Sequence, residues 1–261
     1  MLLAVAERAP GRRALKLDDR EVSYGALDAS SARLARLLDE RGLKPGDRVA
    51  VLLPNVPELV VAYCGTLRAG CVVVPLAHAP ALRDSAARLT LAWHGVAEAA
   101  EAAARAAGSD FVFVTPGEFQ RLLAGFPAER GIYRRTADEP ALAPLGAAVL
   151  SHGALEREAD SAVSAHLLSE HDVVLTTLPL LRSIALLHAT LSAGGCLTLL
   201  PEFEPGRALA LVERDGVTVM QADADAFKAM AEHPRRDVFD LSTLRLALDG
   251  PLEAQQPAAR V

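Results

Sequence analysis

The sequence predicts an α/β protein with mainly parallel sheets covered by helices, arranged as two α/β parts. Three observations lead there. Short apolar runs alternate with helical patterns along most of the chain, which is the signature of β-α-β units with right-handed crossovers. Most of those runs lack every-second-residue alternation, and a continuously apolar strand is one buried on both faces. Residues 115–145 carry four prolines and three glycines without clear periodicity, which reads as a linker between two layers. The division expected from this is 1–140 for a first subdomain plus linker and 141–261 for a second.

The expected strands fall at 14–17, 21–23, 49–53, 71–75 and 111–114, then at 173–176, 197–200, 217–221 and 244–248. Between the first two pairs, a helix opens near Ser23 and runs to about Arg41, with Leu27, Leu34, Leu37 and Leu38 on one face and Gly42 as its stop. Lys44-Pro45-Gly46-Asp47 is a turn into the next strand. Pro57 suits the first turn of a helix ending near Gly70. Residues 82–107 are alanine-rich and read as helical with a break at Gly95, and a short helix is expected near 119–124. Four further helices are expected at 153–168, 184–193, 206–215 and 223–232.

Composition narrows the function. The chain has 261 residues, a formal charge of −6 and 51% apolar residues, values of a globular domain rather than a disordered chain. A mildly acidic chain lacks the basic footprint of a nucleic-acid binder. Three cysteines exclude a disulfide scaffold and suggest a reducing compartment. The N-terminal apolar run, 2–6, is too short for a signal-peptide core. The uncharged stretch 183–201 is split by Gly194-Gly195 into a buried helix and a buried strand. A cytoplasmic protein with no membrane span and no nucleic-acid partner is expected. Only Lys16, Lys44 and Lys228 are lysines, which fits a GC-rich coding bias and leaves few candidates for a phosphate-binding lysine.

The usual chemical motifs are missing. There is no P-loop, no dinucleotide-binding glycine pattern, no nucleophile elbow, no Cys-x-x-Cys pair and no His-Glu-x-x-His. No metal site is expected. Asp223 and Asp225 follow the strand at 217–221, at the end that faces the ligand crevice in an open α/β sheet. A helix N-cap accounts for the same pair.

Several segments, taken in order, resemble the N-terminal domain of the adenylate-forming (AMP-binding) superfamily, acyl-CoA synthetases in particular. Residues 21–27 resemble the family's "LTYAELD", 46–55 its "GDRVALLLPN", 62–75 its "AYFGALRAGAVVVP" and 148–152 the "AVLSH" that closes its signature motif. Leu178-Pro179-Leu180 resembles the start of "LPLFH", and 243–247 resemble "LRLAVSGG". The resemblance implies two α/β subdomains packed face to face. It also implies a chemistry in which a carboxylate and ATP form an acyl-adenylate that is passed to a thiol.

The departures bear on function. The family places a Ser/Thr/Gly-rich loop with a lysine, "YTSGTTGxPKG", directly before "AVLSH". Here 141–147 read Ala-Leu-Ala-Pro-Leu-Gly-Ala, a deletion of about ten residues that leaves nothing to hold the β- and γ-phosphates. Preorganised donors of that kind are worth roughly 3–4 kcal/mol each. The family's pocket histidine in "LPLFH" is replaced, the "FH" being Leu181-Arg182 here. Its "GVPT" is Ala222-Asp223-Ala224-Asp225, and its "SGGA" is Asp249-Gly250-Pro251-Leu252. By that resemblance, the 261 residues would correspond to roughly the first half of a family member, ahead of the later ATP-binding motifs and of the C-terminal domain with its catalytic lysine.

The expectation is a degenerate acyl-CoA synthetase-like protein, a non-catalytic binding or regulatory partner. The alternative is a component of an AMP-forming acyl-CoA ligase completed by another chain. No catalytic residue is assigned. Ser151, His152, Arg182, Asp223, Asp249 and Gly250 are the candidate pocket residues. No cofactor is expected, with ATP, magnesium and coenzyme A relevant only if the family activity survives. A full-length synthetase, a carrier protein or a second copy in a homodimer are the partners considered.

Overall fold

The computed structural model describes residues 2–128, 131 and 133–251. In chain order the elements are α1 (Leu2–Arg8), β1 (Arg13–Leu17), β2 (Arg20–Ser23), α2 (Tyr24–Glu40), β3 (Arg48–Leu52), α3 (Pro57–Arg68), β4 (Val72–Pro75), β5 (Leu89–Trp93), α4 (Ala97–Ala107), β6 (Asp110–Val114) and α5 (Glu118–Ala124). They continue with β7 (Pro140–Leu142), β8 (Leu150–Ser151), α6 (His152–His166), β9 (Val173–Thr176), α7 (Ile184–Ala193), β10 (Cys196–Thr198), α8 (Pro205–Asp215), β11 (Val219–Ala222), α9 (Ala224–Ala231) and β12 (Leu246–Asp249).

Two compact units emerge. Unit 1 gathers the described residues of Met1–Gly25, Asn55–Pro57 and Glu156–Val261, and unit 2 those of Ala26–Pro54 and Glu58–Leu155. The chain passes between them more often than the single boundary near residue 140 would require. Each unit is built on one sheet.

The unit 1 sheet has the order β12-β11-β9-β10-β1-β2, parallel throughout except for the β1–β2 hairpin. Leu175 and Met220 on its strands pack against Leu209 and Val212 of α8 and Met230 of α9. Helix α8 starts where it does because Pro205 fits its first turn and the Glu204 carboxylate accepts from the Gly206 and Arg207 amides. Residues 184–191 of α7 are all buried, so its apolar residues run all the way round rather than along one stripe.

The unit 2 sheet has the order β6-β5-β3-β4-β7-β8, again parallel except for its last hairpin, β7–β8. Ala50, Leu52, Val72, Val74 and Leu82 form its core with Ala100 and Ala104 of α4. Helices α2 and α3 meet closely at Gly65, where a Cβ would lie 2.7 Å from the Leu34 side chain.

The expected architecture is the observed one, with local corrections. The stretch 82–107 is not one broken helix. It holds a 3-10 turn over Ala79–Asp84, the buried strand β5, a second 3-10 turn over His94–Val96, and α4. The hairpin β7–β8 and the short helix α1 are additional elements that the sequence pattern did not announce.

Candidate functional site

In unit 1 the parallel strands end in a buried polar floor. Thr176 closes β9, and its hydroxyl donates to Gln221 Oε1 at 3.1 Å. Gln221 Nε2 in turn donates to the carbonyl of Gly250 at 2.9 Å. The amide of Leu178 donates back to Thr176 Oγ1 at 3.2 Å, and Ser183 Oγ lies 3.5 Å from the same hydroxyl. Asn55 holds the corner that follows β9. Its Nδ2 donates to Leu178 O at 2.9 Å, and its Oδ1 accepts from Leu180 N at 2.8 Å. Thr176, Ser183, Asn55 and Gln221 are all buried; Thr176 bonds Gln221 and Ser183, and Asn55 bonds the backbone of Leu178 and Leu180, as buried polar groups must.

Four of the sequence-predicted residues border this floor. Asp223 is exposed, and its Oδ1 accepts from Ala226 N at 2.8 Å, capping α9. Gly250 takes φ 70°, a left-handed conformation suited to glycine, and its amide donates to Ala222 O at 2.9 Å. Asp249 ends β12 and is exposed. Arg182 ends a 3-10 turn and is exposed, its amide donating to Pro179 O at 2.8 Å. Sequence reasoning missed Gln221, Thr176, Ser183 and Asn55. A signal existed for the first: Gln221 is the one amide side chain in an otherwise apolar strand.

Ser151 and His152 belong to unit 2. Ser151 Oγ accepts from Ala154 N at 3.2 Å, closing the first turn of α6. The backbone N–H of His152 donates to Glu139 O at 3.0 Å. Its imidazole is buried, and burial, assisted by the charge of Arg135, pushes its pKa down to about 4. It is a neutral packed side chain near pH 7.

Between β7 and β8 lies the segment 143–149, Ala-Pro-Leu-Gly-Ala-Ala-Val. Ala143 N donates to Val73 O at 2.8 Å, and Ala147 N folds back onto Pro144 O at 3.4 Å. The rest of the turn is exposed, including Leu145 and Val149. A triphosphate site needs converging N–H donors and a cation. This connection has no hydroxyl, no lysine and no arginine, so it does not fit that group.

The three cysteines are buried. Burial pushes the thiols of Cys64 and Cys71 up to about 12 and that of Cys196 up to about 11, so none is a thiolate at neutral pH. Among the described residues, no three His, Cys, Asp or Glu side chains are grouped to hold a metal ion. Among them, too, no helix is long and apolar enough to cross a membrane.

Two sheets of mostly parallel strands, with a polar floor at the strand ends of one and a hairpin bordering the other, define an acyl-CoA ligase-like N-terminal fold. The family assignment follows from sequence. The model of the AMP-binding enzyme family matches residues 2–139, and the chain belongs to that family. It is 32% identical to a feruloyl-CoA synthase from an Amycolatopsis species over 273 aligned residues, covering 94% of this chain and 52% of the relative. It is 29% identical to 4-coumarate–CoA ligase 5 of Oryza sativa subsp. japonica, covering 88% and 47%. The chain thus spans about half the length of these curated relatives. Its fold is similar to that of a benzoate CoA ligase from Burkholderia xenovorans LB400, with a TM-score of 0.87 at 23% identity over 94% of this chain and 54% of the other. It is also similar to apo MatB from Rhodopseudomonas palustris, with a TM-score of 0.78 at 27% identity over 90% and 51%.

Proposed function

We propose that this chain is an acyl-CoA ligase relative that does not adenylate a carboxylate and instead acts as a binding or regulatory partner. The observation that carries this reading is the β7–β8 connection, where 143–149 supply neither a cation nor a hydroxyl. Transfer to ATP's α-phosphorus depends on donors already aimed at the phosphate oxygens, and this segment offers only a turn closed on itself. The alignment with the feruloyl-CoA synthase supports the same view: it runs over 273 positions although this chain has 261 residues, so the relative holds residues inside the matched region that this chain lacks.

Within this reading, Arg182, Asp223, Asp249 and Gly250 form the ligand-facing rim of unit 1, while Ser151 and His152 serve the fold of unit 2. Carboxylate-dependent ATP–pyrophosphate exchange by the purified chain is the test. We expect no exchange above the enzyme-free rate with aromatic or aliphatic acids. Exchange that rises with chain concentration would overturn the reading.

A further inference from the structure

We infer that β6 is a self-docking edge: two copies of this chain join antiparallel through β6, continuing the unit 2 sheet across a two-fold axis and placing their α4 helices side by side above the seam. This goes beyond the reading above and does not depend on it.

Strand β6 ends the unit 2 sheet. Asp110 N donates to Arg88 O at 2.8 Å, so the backbone groups of Asp110, Val112 and Val114 face β5. Those of Phe111 and Phe113 therefore point out of the sheet edge. Their side chains share one face, with ring centroids 4.4 Å apart in an edge-to-face arrangement. Phe111 packs against the core that includes Ala100 and Ala104, whereas Phe113 is 43% exposed. Natural proteins blunt exposed edges with lysine, proline or bulges. Strand β6 has none of these, and its one charge, Asp110, sits at its first residue.

A second copy fits this edge because the edge complements itself. A two-fold axis through Val112 sets Phe111 opposite the partner's Phe113. Both carry outward amides and carbonyls, so each such pair forms two N–H···O bonds and the dimer forms four. The same axis governs the helices. Helix α4 packs on both β5 and β6. With strands spaced about 4.8 Å apart, the axis brings α4 about 10 Å from its copy, a helix-packing distance that small side chains permit. Ala102, which is exposed, lies on the same side of α4 as Glu98 and Arg105.

Charge complementarity specifies the orientation. Helix α4 carries Glu98 near its start and Arg105 near its end. Antiparallel pairing about residue 102 sets each Glu98 within one turn of the partner's Arg105. Arg105 also bonds Glu101 of its own helix at 2.9 Å, so in the dimer each Arg105 stands between its own Glu101 and the partner's Glu98.

Sedimentation equilibrium of the full chain from low to several hundred micromolar tests this. The average mass is expected to climb from the monomer value toward twice that value. Phe113→Lys should leave the far-UV circular dichroism unchanged and remove the dimer. Glu98→Arg and Arg105→Glu should each raise the dissociation constant by about tenfold or more, and the double exchange should restore it to within about threefold, since it only swaps the two ends of a symmetric pair. A monomer at every concentration overturns the inference. So does a dimer that both Phe113→Lys and the single charge reversals leave intact. Should Phe113→Lys fail to fold, the surface charge exchange decides alone.

Discussion

Replacing His152 by glutamine should flatten the acid limb of unit 2's stability. His152 is only 7% exposed, and burial next to Arg135 lowers its pKa from 6.5 to about 4. The unfolded chain takes up a proton as pH falls through its ordinary value, while the folded chain resists until about 4. The folded state therefore binds fewer protons across that window, and stability present above pH 6.5 drains away toward pH 4. At pH 5 the unfolded group is almost fully charged and the folded group is about one-tenth charged, which places the loss between pH 7.5 and 5 at ~2 kcal/mol. Trp93, the sole tryptophan, ends β5 in unit 2, so its fluorescence in urea titrations reports the right unit. His166, whose pKa is also lowered by burial and by Arg245, belongs to unit 1 and is present in both proteins, so the difference between them isolates His152. The wild type should lose ~2 kcal/mol more than His152→Gln between the two pH values. Equal losses would refute the neutral, buried assignment.

Two further substitutions test the structural roles given to site residues. Gln221→Leu removes the bonds to Thr176 and Gly250 O from a fully buried position, and should cost ~2–4 kcal/mol in chemical denaturation followed by circular dichroism. A cost below ~0.5 kcal/mol would mean the floor is not held as described. Ser151→Ala removes the α6 cap that accepts from Ala154 N. It should cost ~1 kcal/mol by Trp93 fluorescence, and a stabilised variant would contradict the capping role.

Punctuation decided how much of the fold the sequence disclosed. Strand β3 is announced by Lys44-Pro45-Gly46-Asp47, and α7 is separated from β10 by Gly194-Gly195, so both lie close to where the pattern places them. Strand β5 is hidden because alanine-rich segments flank it and the turn before it uses Ala86 at φ 51°, where a glycine would have marked the break. Strands β7 and β8 span three and two residues, too short for any periodicity. They exist because Leu142 registers with Val73 of β4 and Leu150 with Leu142, which are contacts far apart in sequence or across the exposed turn.

The site was legible in the same uneven way. The cap made by Asp223 and the composition of the 143–149 connection are local and readable from the sequence. The role of Gln221 is not, because its partners lie 45 and 29 residues away. Arg182 and Asp249 reach the strand ends of unit 1 through the crossovers of the sheet, whereas Ser151 and His152 go to unit 2 with the β7–β8 hairpin. Residues that resemble successive parts of one motif set are thus divided by topology.

Calorimetric titration of magnesium-ATP into the purified chain, beside a full-length acyl-CoA ligase handled in the same way, tests directly the proposal that this chain has no triphosphate site. The account predicts no saturable heat at nucleotide concentrations that saturate the ligase. One-to-one binding in the micromolar range by this chain would show that something other than 143–149 cradles the phosphates, and would contradict it.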